Sequence, residues 1–242
     1  MKSLIFICHL LVLYGTAVSL IREYVYFPQL MTWNAAQSYC RQQYGDLATI
    51  TTEEENQRAV SVIWPYYDSW IGLTRTSPHA ETWQWLDGEE LNFTKWYKSQ
   101  PDYQPPGKSC AAMNSQGWRN YDCDNNFAFI CSRSFILVKE KKKWEEALHH
   151  CRTYYSNLAF VDSQTLLDLL KTETGQAQTA SVWTGLRFLD GNWFWVNGAP
   201  LGRLASLPQC PIEPNRCGAY NFSTYIWENR NCNEELNFLC YD

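Results

Sequence analysis

Cysteine offers the most chemistry in this chain, which has ten. Cys8 lies in an apolar run, Leu4 to Leu13, that follows Lys2 and precedes the small residues Ala17-Val18-Ser19. A charged start, a short apolar core and a small-residue end make a secretory leader, too short at its core for a membrane span. Residues 1–19 are read as that signal peptide, and the remainder as a secreted, extracellular chain with no membrane span. Nine cysteines then remain, in an oxidising compartment where disulfides are the default. No pair is spaced Cys-x-x-Cys, and no Cys/His spacing suits zinc. The odd count leaves at least one cysteine unpaired or bonded outside the chain.

Other reactive patterns are sparse. The sequence holds no nucleophile elbow, phosphate-binding loop or metalloprotease motif, and its carboxylates fall in no recognisable acid/base pair. It is read as a binding protein and not an enzyme. His149 and His150 are helix neighbours that point apart, so they make no metal pair. A net charge of −5 lacks the positive field of a nucleic-acid binder. With 45% hydrophobic and 16% aromatic residues, the chain is not disordered. Asn92-Phe93-Thr94 and Asn221-Phe222-Ser223 are glycosylation sequons. Lys139-Glu140-Lys141-Lys142-Lys143 reads as a solvated strand edge and helix start.

The elements that position these residues occur twice. Trp33 lies seven before Cys40, as Trp144 does before Cys151. Leu47-Ala48 and Leu158-Ala159 follow at matching intervals. Next come Trp70-Ile71-Gly72-Leu73 and Trp183-Thr184-Gly185-Leu186, then Trp83-x-Trp85-x-Asp87-Gly88 and Trp193-x-Trp195-x-Asn197-Gly198. Trp118, Cys123 and Cys131 keep the intervals of Trp227, Cys232 and Cys240. The chain is therefore two similar units, 20–132 and 133–242, with almost no linker. Thr32 caps a predicted helix over 33–44 that Gly45 ends, and Thr52-Glu53-Glu54-Glu55 is a capping-box pattern opening a second. Residues 144–155 repeat the first helix, and Ser163 caps the second, with Gly175 at its end. Short aromatic strands with turn residues follow, so each unit is α+β.

These motifs resemble the C-type lectin-like domain, twice over. The resemblance implies two helices, small antiparallel sheets, a long irregular loop carrying the ligand site, and disulfides joining first to last and second to third cysteine. That gives Cys40–Cys131 and Cys110–Cys123, then Cys151–Cys240 and Cys217–Cys232. Cys210 is left over, as a free thiol or an intermolecular bridge in a disulfide-linked dimer. Trp33, Trp70, Trp85 and Trp118 match core positions of the family.

Sugar-binding members hold their ligand through calcium, a hard cation that takes six to eight oxygens. The resemblance assigns those oxygens to a Glu-Pro-Asn or Gln-Pro-Asp triplet whose proline is cis, to a Glu before a cysteine, and to a Trp-Asn-Asp triplet. Gln100-Pro101-Asp102 supplies the first triplet, in the galactose-type order, with Pro101 nine residues ahead of Cys110. Lys108 stands where the Glu belongs, and Arg119 and Asn120 follow Trp118 in place of Asn and Asp. One carboxylate thus remains, facing two added cations, neither of which has a lone pair for calcium. In the second unit, Glu213-Pro214-Asn215 has the mannose-type spelling, but Pro214 is three residues from Cys217; the nine-residue interval falls on Leu207-Pro208-Gln209. Trp227-Glu228-Asn229 takes the last triplet. The candidate ligand residues are Gln100, Asp102, Lys108, Arg119, Asn120, Glu228 and Asn229, with Gln100, Asp102, Asn120 and Glu228 as the metal candidates. The expected function is recognition of a glycan or an extracellular protein through a degraded calcium site. The alternative is a calcium-dependent galactose-type lectin acting through Gln100-Pro101-Asp102.

Overall fold

The computed structural model describes residues 18–77, 80–102, 108–161, 163–173, 177–201, 207 and 211–242. They form two compact units, one of residues 24–133 and one of residues 18–23 together with 134–242.

The first unit opens on the later part of strand β1 (Val18–Met31) and on helix α1 (Trp33–Gln43). Thr32 caps α1 by accepting from the Ala35 amide, and Gly45 closes it at φ +152°, where a Cβ would meet the Ser132 carbonyl at 2.7 Å. Helix α2 (Glu53–Val62) starts at Thr52, whose hydroxyl accepts from Glu55 N at 3.1 Å. The Glu55 carboxylate takes the amide and hydroxyl of Thr51, one residue further back than a capping box requires. Strand β2 (Asp46–Leu47) pairs with the first half of strand β7 (Phe127–Lys142). Strand β3 (Ser69–Arg75) is antiparallel to β4 (Trp83–Trp85) and β5 (Cys110–Asn114), and β6 (Gly117–Tyr121) continues from β5.

The second unit repeats the plan. Helices α3 (Trp144–Tyr154) and α4 (Gln164–Glu173) precede strands β9 (Ser181–Leu189), β10 (Asn192–Trp195), β11 (Cys217–Asn221), β12 (Ile226–Arg230) and β13 (Leu236–Tyr241). Strand β8 (Asn157–Leu158) pairs with β13 as β2 does with β7. Ser163 caps α4 through the Leu166 amide, and its hydroxyl donates to Glu23 at 3.2 Å. Gly175 lies outside the described residues. Ile21, from the same N-terminal stretch as Glu23, is fully buried in this unit's core with Phe135, Leu137 and Leu166.

Tryptophans set the same frame in both units. Trp33 Nε1 donates to Ile71 O at 2.9 Å, and Trp144 Nε1 to Thr184 O at 2.9 Å. Trp70 reaches Met31 O and Trp183 reaches Lys142 O, so these buried indoles leave no donor unpaired. The motif glycines follow from close approach: a Cβ on Gly72 would sit 2.7 Å from Leu47 O, and one on Gly185 2.9 Å from Leu158 O. Trp85 and Trp118 are buried as well, so all four family core positions of the first unit serve packing and not ligand.

Four disulfides close the units as the resemblance implied: Cys40–Cys131, Cys110–Cys123, Cys151–Cys240 and Cys217–Cys232. On the chain-entropy account, bridges of these spans stabilise by about 3 to 5 kcal/mol each. Cys210 lies outside the described residues.

Candidate functional site

In the first unit the Gln100–Pro101 peptide is cis, which turns the residues on either side toward the β5–β6 hairpin. Asn120 on β6 is the post that holds this turn. Its amide N–H donates to Gln100 Oε1 at 3.1 Å, its Oδ1 accepts from Asp102 N at 2.9 Å, and its Nδ2 donates to Asp102 O at 2.9 Å. The same Nδ2 reaches Lys108 O at 3.3 Å, tying the two ends of the loop together. Lys108 Nζ lies 2.7 Å from Asp102 Oδ2, in a pair that is about one-third exposed on each side. Asp102 Oδ1 is buried and accepts no hydrogen bond among the described residues.

Gln100, Asp102, Lys108 and Asn120 are thus brought together, and Arg119 is not. The sequence places Arg119 as a second cation in this cluster. Strand alternation sends it to the other side of β6, where it pairs with Asp68 at 3.2 Å, donates to Gln116 and lies 4.2 Å from the Tyr97 ring centroid. The second cation at the loop is Arg75, at the end of β3. Its guanidinium donates to Lys108 O at 3.2 Å and Asp102 O at 3.5 Å and lies over Trp83. No motif marks Arg75 in the sequence; only the β3–β5 pairing carries it to the loop.

The second unit corrects the interval count. Pro208 and Gln209 lie outside the described residues, and the geometry of Gln100-Pro101-Asp102 recurs at Glu213-Pro214-Asn215. The Glu213–Pro214 peptide is cis, and Asn229, the counterpart of Asn120, donates through Nδ2 to Asn215 O at 3.3 Å. The triplet has kept its contact with the hairpin while the segment to Cys217 has shortened. Counting back from the cysteine therefore does not find this cis turn. The Glu213 carboxylate pairs with Arg216. Leu207 packs against the core instead of facing the turn.

Glu228 is committed elsewhere. Its carboxylate accepts from Ser181 Oγ at 2.7 Å, Asn221 Nδ2 at 3.0 Å and Arg230 at 2.9 Å. Burial acts to raise its pKa, but the hydrogen bonds from Ser181, Asn221 and Arg230 outweigh it and hold the carboxyl below its usual range. A matching quartet stands in the first unit, where Asp68 accepts from Asn114 Nδ2 at 2.9 Å, Arg119 at 3.2 Å and Tyr121 Oη at 2.5 Å. Burial first, then the bond to Asp68, push the Tyr121 phenol upward, so it stays a donor. The sequence reading missed Asp68, Asn114 and Tyr121. Aligning the repeats shows the substitutions but not that they touch.

Among the described residues, no three His, Cys, Asp or Glu side chains come together as a metal-binding group. A groove of about 520 Å³ on α3, lined by residues that include His149, His150 and Tyr154, contains none of the candidate site residues. His150 rests on Phe238, with ring centroids 5.1 Å apart, and burial lowers its pKa.

Comparison with known proteins agrees with this architecture. The sequence model of the Lectin C-type domain matches residues 29–133 and 140–242. The chain is 27% identical over 253 residues to the human secretory phospholipase A2 receptor, across 87% of this chain and 17% of the receptor. It is 24% identical over 259 residues to the rat C-type mannose receptor 2, across 88% of this chain and 17% of that one. It therefore spans about one-sixth of the length of these relatives. Among solved structures, human lithostathine aligns at a TM-score of 0.43 and 25% identity, covering 49% of this chain and 96% of that one. The mouse scavenger receptor C-type lectin carbohydrate-recognition domain aligns at 0.43 and 28% identity, covering 46% of this chain and 88% of that one. With both of its repeats matched, the chain belongs to the C-type lectin domain family as a tandem of two such domains.

Proposed function

We propose that this is a secreted recognition protein whose two domains bind glycan or protein ligands non-covalently and without calcium. The observation that carries this reading is the Lys108 ammonium 2.7 Å from Asp102, at the turn where the family resemblance puts the metal. A bound ammonium neutralises the carboxylate that would otherwise attract a cation. The remaining oxygens do not fit the ion. Gln100 Oε1 and Asn120 Oδ1 each already accept from a backbone amide, and Asp102 Oδ1 is the one carboxylate oxygen of the turn without a donor among the described residues, against a need for six to eight ligands. In the second domain Glu228 accepts from three donors and Glu213 is paired with Arg216.

Both ligand classes have precedent in the relatives' names, one a receptor for a secreted phospholipase and one for mannose. No helix among the described residues is long and apolar enough to cross a membrane. The leader pattern supports export, and Cys210 supports a disulfide-linked dimer, read from gel mobility with and without reductant. Calorimetric titration with calcium, followed by a glycan array and a screen of extracellular proteins with and without chelator, tests the main reading. Ligand capture that chelator leaves unchanged is the expected result. Tight calcium binding with chelator-sensitive capture of galactose would establish the alternative acting through Gln100-Pro101-Asp102.

A further inference from the structure

The two sequons occupy opposite environments. Asn92 is exposed on the loop after β4, and its Nδ2 donates to Glu90 at 3.1 Å. Phe93 between the sequon residues packs against the core, and this turns Asn92 and Thr94 outward. Asn221 is the last residue of β11 and is 9% exposed. Its Nδ2 donates to Glu228 at 3.0 Å, and its Oδ1 accepts from the amides of Ser223 and Thr224 at 2.9 and 3.1 Å.

Its counterpart in the first domain explains why asparagine is there. Asn114 also lies four residues after the strand's cysteine and is buried, donating through Nδ2 to Asp68 and accepting through Oδ1 from Gln116 N at 2.8 Å. Asn114-Ser115-Gln116 is not a sequon. The same side chain thus does the same work at a position where no glycan can be attached. The Asn221 sequon arises because a serine happens to stand at 223, beside an asparagine that the strand end requires.

We infer that Asn92 is the N-glycan acceptor of this protein and that Asn221 remains unmodified in the folded chain. Glycan transfer replaces one Nδ2 hydrogen by a bulky sugar. At Asn92 the exposed amide has room for it. At Asn221 the sugar would have to occupy space filled by Glu228 and the β11–β12 turn, so a chain modified there loses the quartet. The inference rests on the secretory reading, because cytosolic chains meet no oligosaccharyl transferase.

Expression in mammalian cells tests it, with the full chain behind its own N-terminal segment and, in parallel, residues 20–242 behind a strong secretory leader. Retention of only the first form would overturn the secretory reading and leave the second to decide site use. Intact mass before and after glycosidase should show one glycan. Thr94→Ala should remove it, whereas Ser223→Ala, at an exposed side chain that leaves the Asn221 amide intact, should leave the glycosidase-released mass unchanged. A glycan on Asn221 in secreted, folded protein, or an unoccupied Asn92, would overturn the inference.

Discussion

Arg119 and Glu228 hold the same place in the two domains with opposite charge. Each follows the buried tryptophan of the last hairpin, each pairs across the strands with an alanine (Ala112 or Ala219), and each closes a quartet that includes the equivalent asparagine. In the first domain the carboxylate comes from Asp68, at the head of β3; in the second that position is Ser181 and the carboxylate has moved across to Glu228. Tyr121 has become Arg230, so the charges change strands while each carboxylate keeps three donors.

Substituting one member should therefore be costly, and substituting the set should not. Arg119→Glu sets two carboxylates against each other in a pair less than one-fifth exposed, and the first domain should lose about 3 kcal/mol. For a domain near one hundred residues that lowers Tm by about 10 to 20 °C. Adding Asp68→Ser and Tyr121→Arg imports the arrangement of the second domain and should recover most of the loss. Scanning calorimetry of the three proteins checks this. A triple variant no more stable than Arg119→Glu would show that the two quartets are not interchangeable.

The same network predicts a pH dependence. The folded pKa of Glu228 lies below its ordinary 4.5, because hydrogen bonds to the charged form outweigh burial. Its contribution is therefore complete above pH 4.5. It is lost as pH falls through the folded value, because the unfolded chain takes up the proton first. The stability gap between wild type and Glu228→Gln in urea unfolding should be full at about pH 7 and should narrow progressively as pH falls below 4.5. A gap that stays constant over that range would mean the ionised carboxylate is not the form being stabilised.

What could be read from the sequence divides along physical lines. Helix starts depend on local chemistry, and Thr32, Thr52 and Ser163 mark them correctly. Buried tryptophans and cysteines keep their spacing because cores tolerate no insertion, so the repeat was legible, and the disulfide order followed from the family resemblance that the repeat carries. Loops tolerate length changes, and so counting from Cys217 failed to locate the cis turn at Pro214. The partners of Arg119 are set by strand alternation and by a residue 51 positions away, which no interval reveals. The sequence reading also assigned no element to the residues just ahead of the first helix, where mixed polar and apolar residues form the strand Val18–Met31.

That strand carries a prediction of its own. Ile21 is fully buried among Phe135, Leu137 and Leu166, and Glu23 accepts from the Ser163 that caps α4. The second domain therefore depends on residues more than one hundred positions ahead of it. Ile21→Ala should destabilise it by about 2 to 5 kcal/mol. A chain begun at Ser134 should give a second domain that is readily proteolysed compared with the same domain in the intact protein. Equal protease resistance of the two forms would show that the N-terminal strand is dispensable.

The pair at the loop gives the sharpest chemical prediction. Lys108 and Asp102 are each about one-third exposed, so removing the attraction costs little stability, about 1 kcal/mol or less. Reversing it has a different consequence. Lys108→Glu places a second carboxylate beside Asp102, on a turn already held by the Asn120 hydrogen bonds. Two carboxylates in contact repel each other, and a divalent cation relieves that repulsion through both. The variant should therefore be less stable than wild type in chelator and should regain Tm in millimolar calcium, whereas wild type should respond to neither condition. Thermal scans of both proteins with calcium and with chelator decide the point. If wild type itself gains Tm from calcium, Lys108 does not fill the cation's place; if the variant gains nothing, the loop lacks more of the metal's shell than one carboxylate can restore.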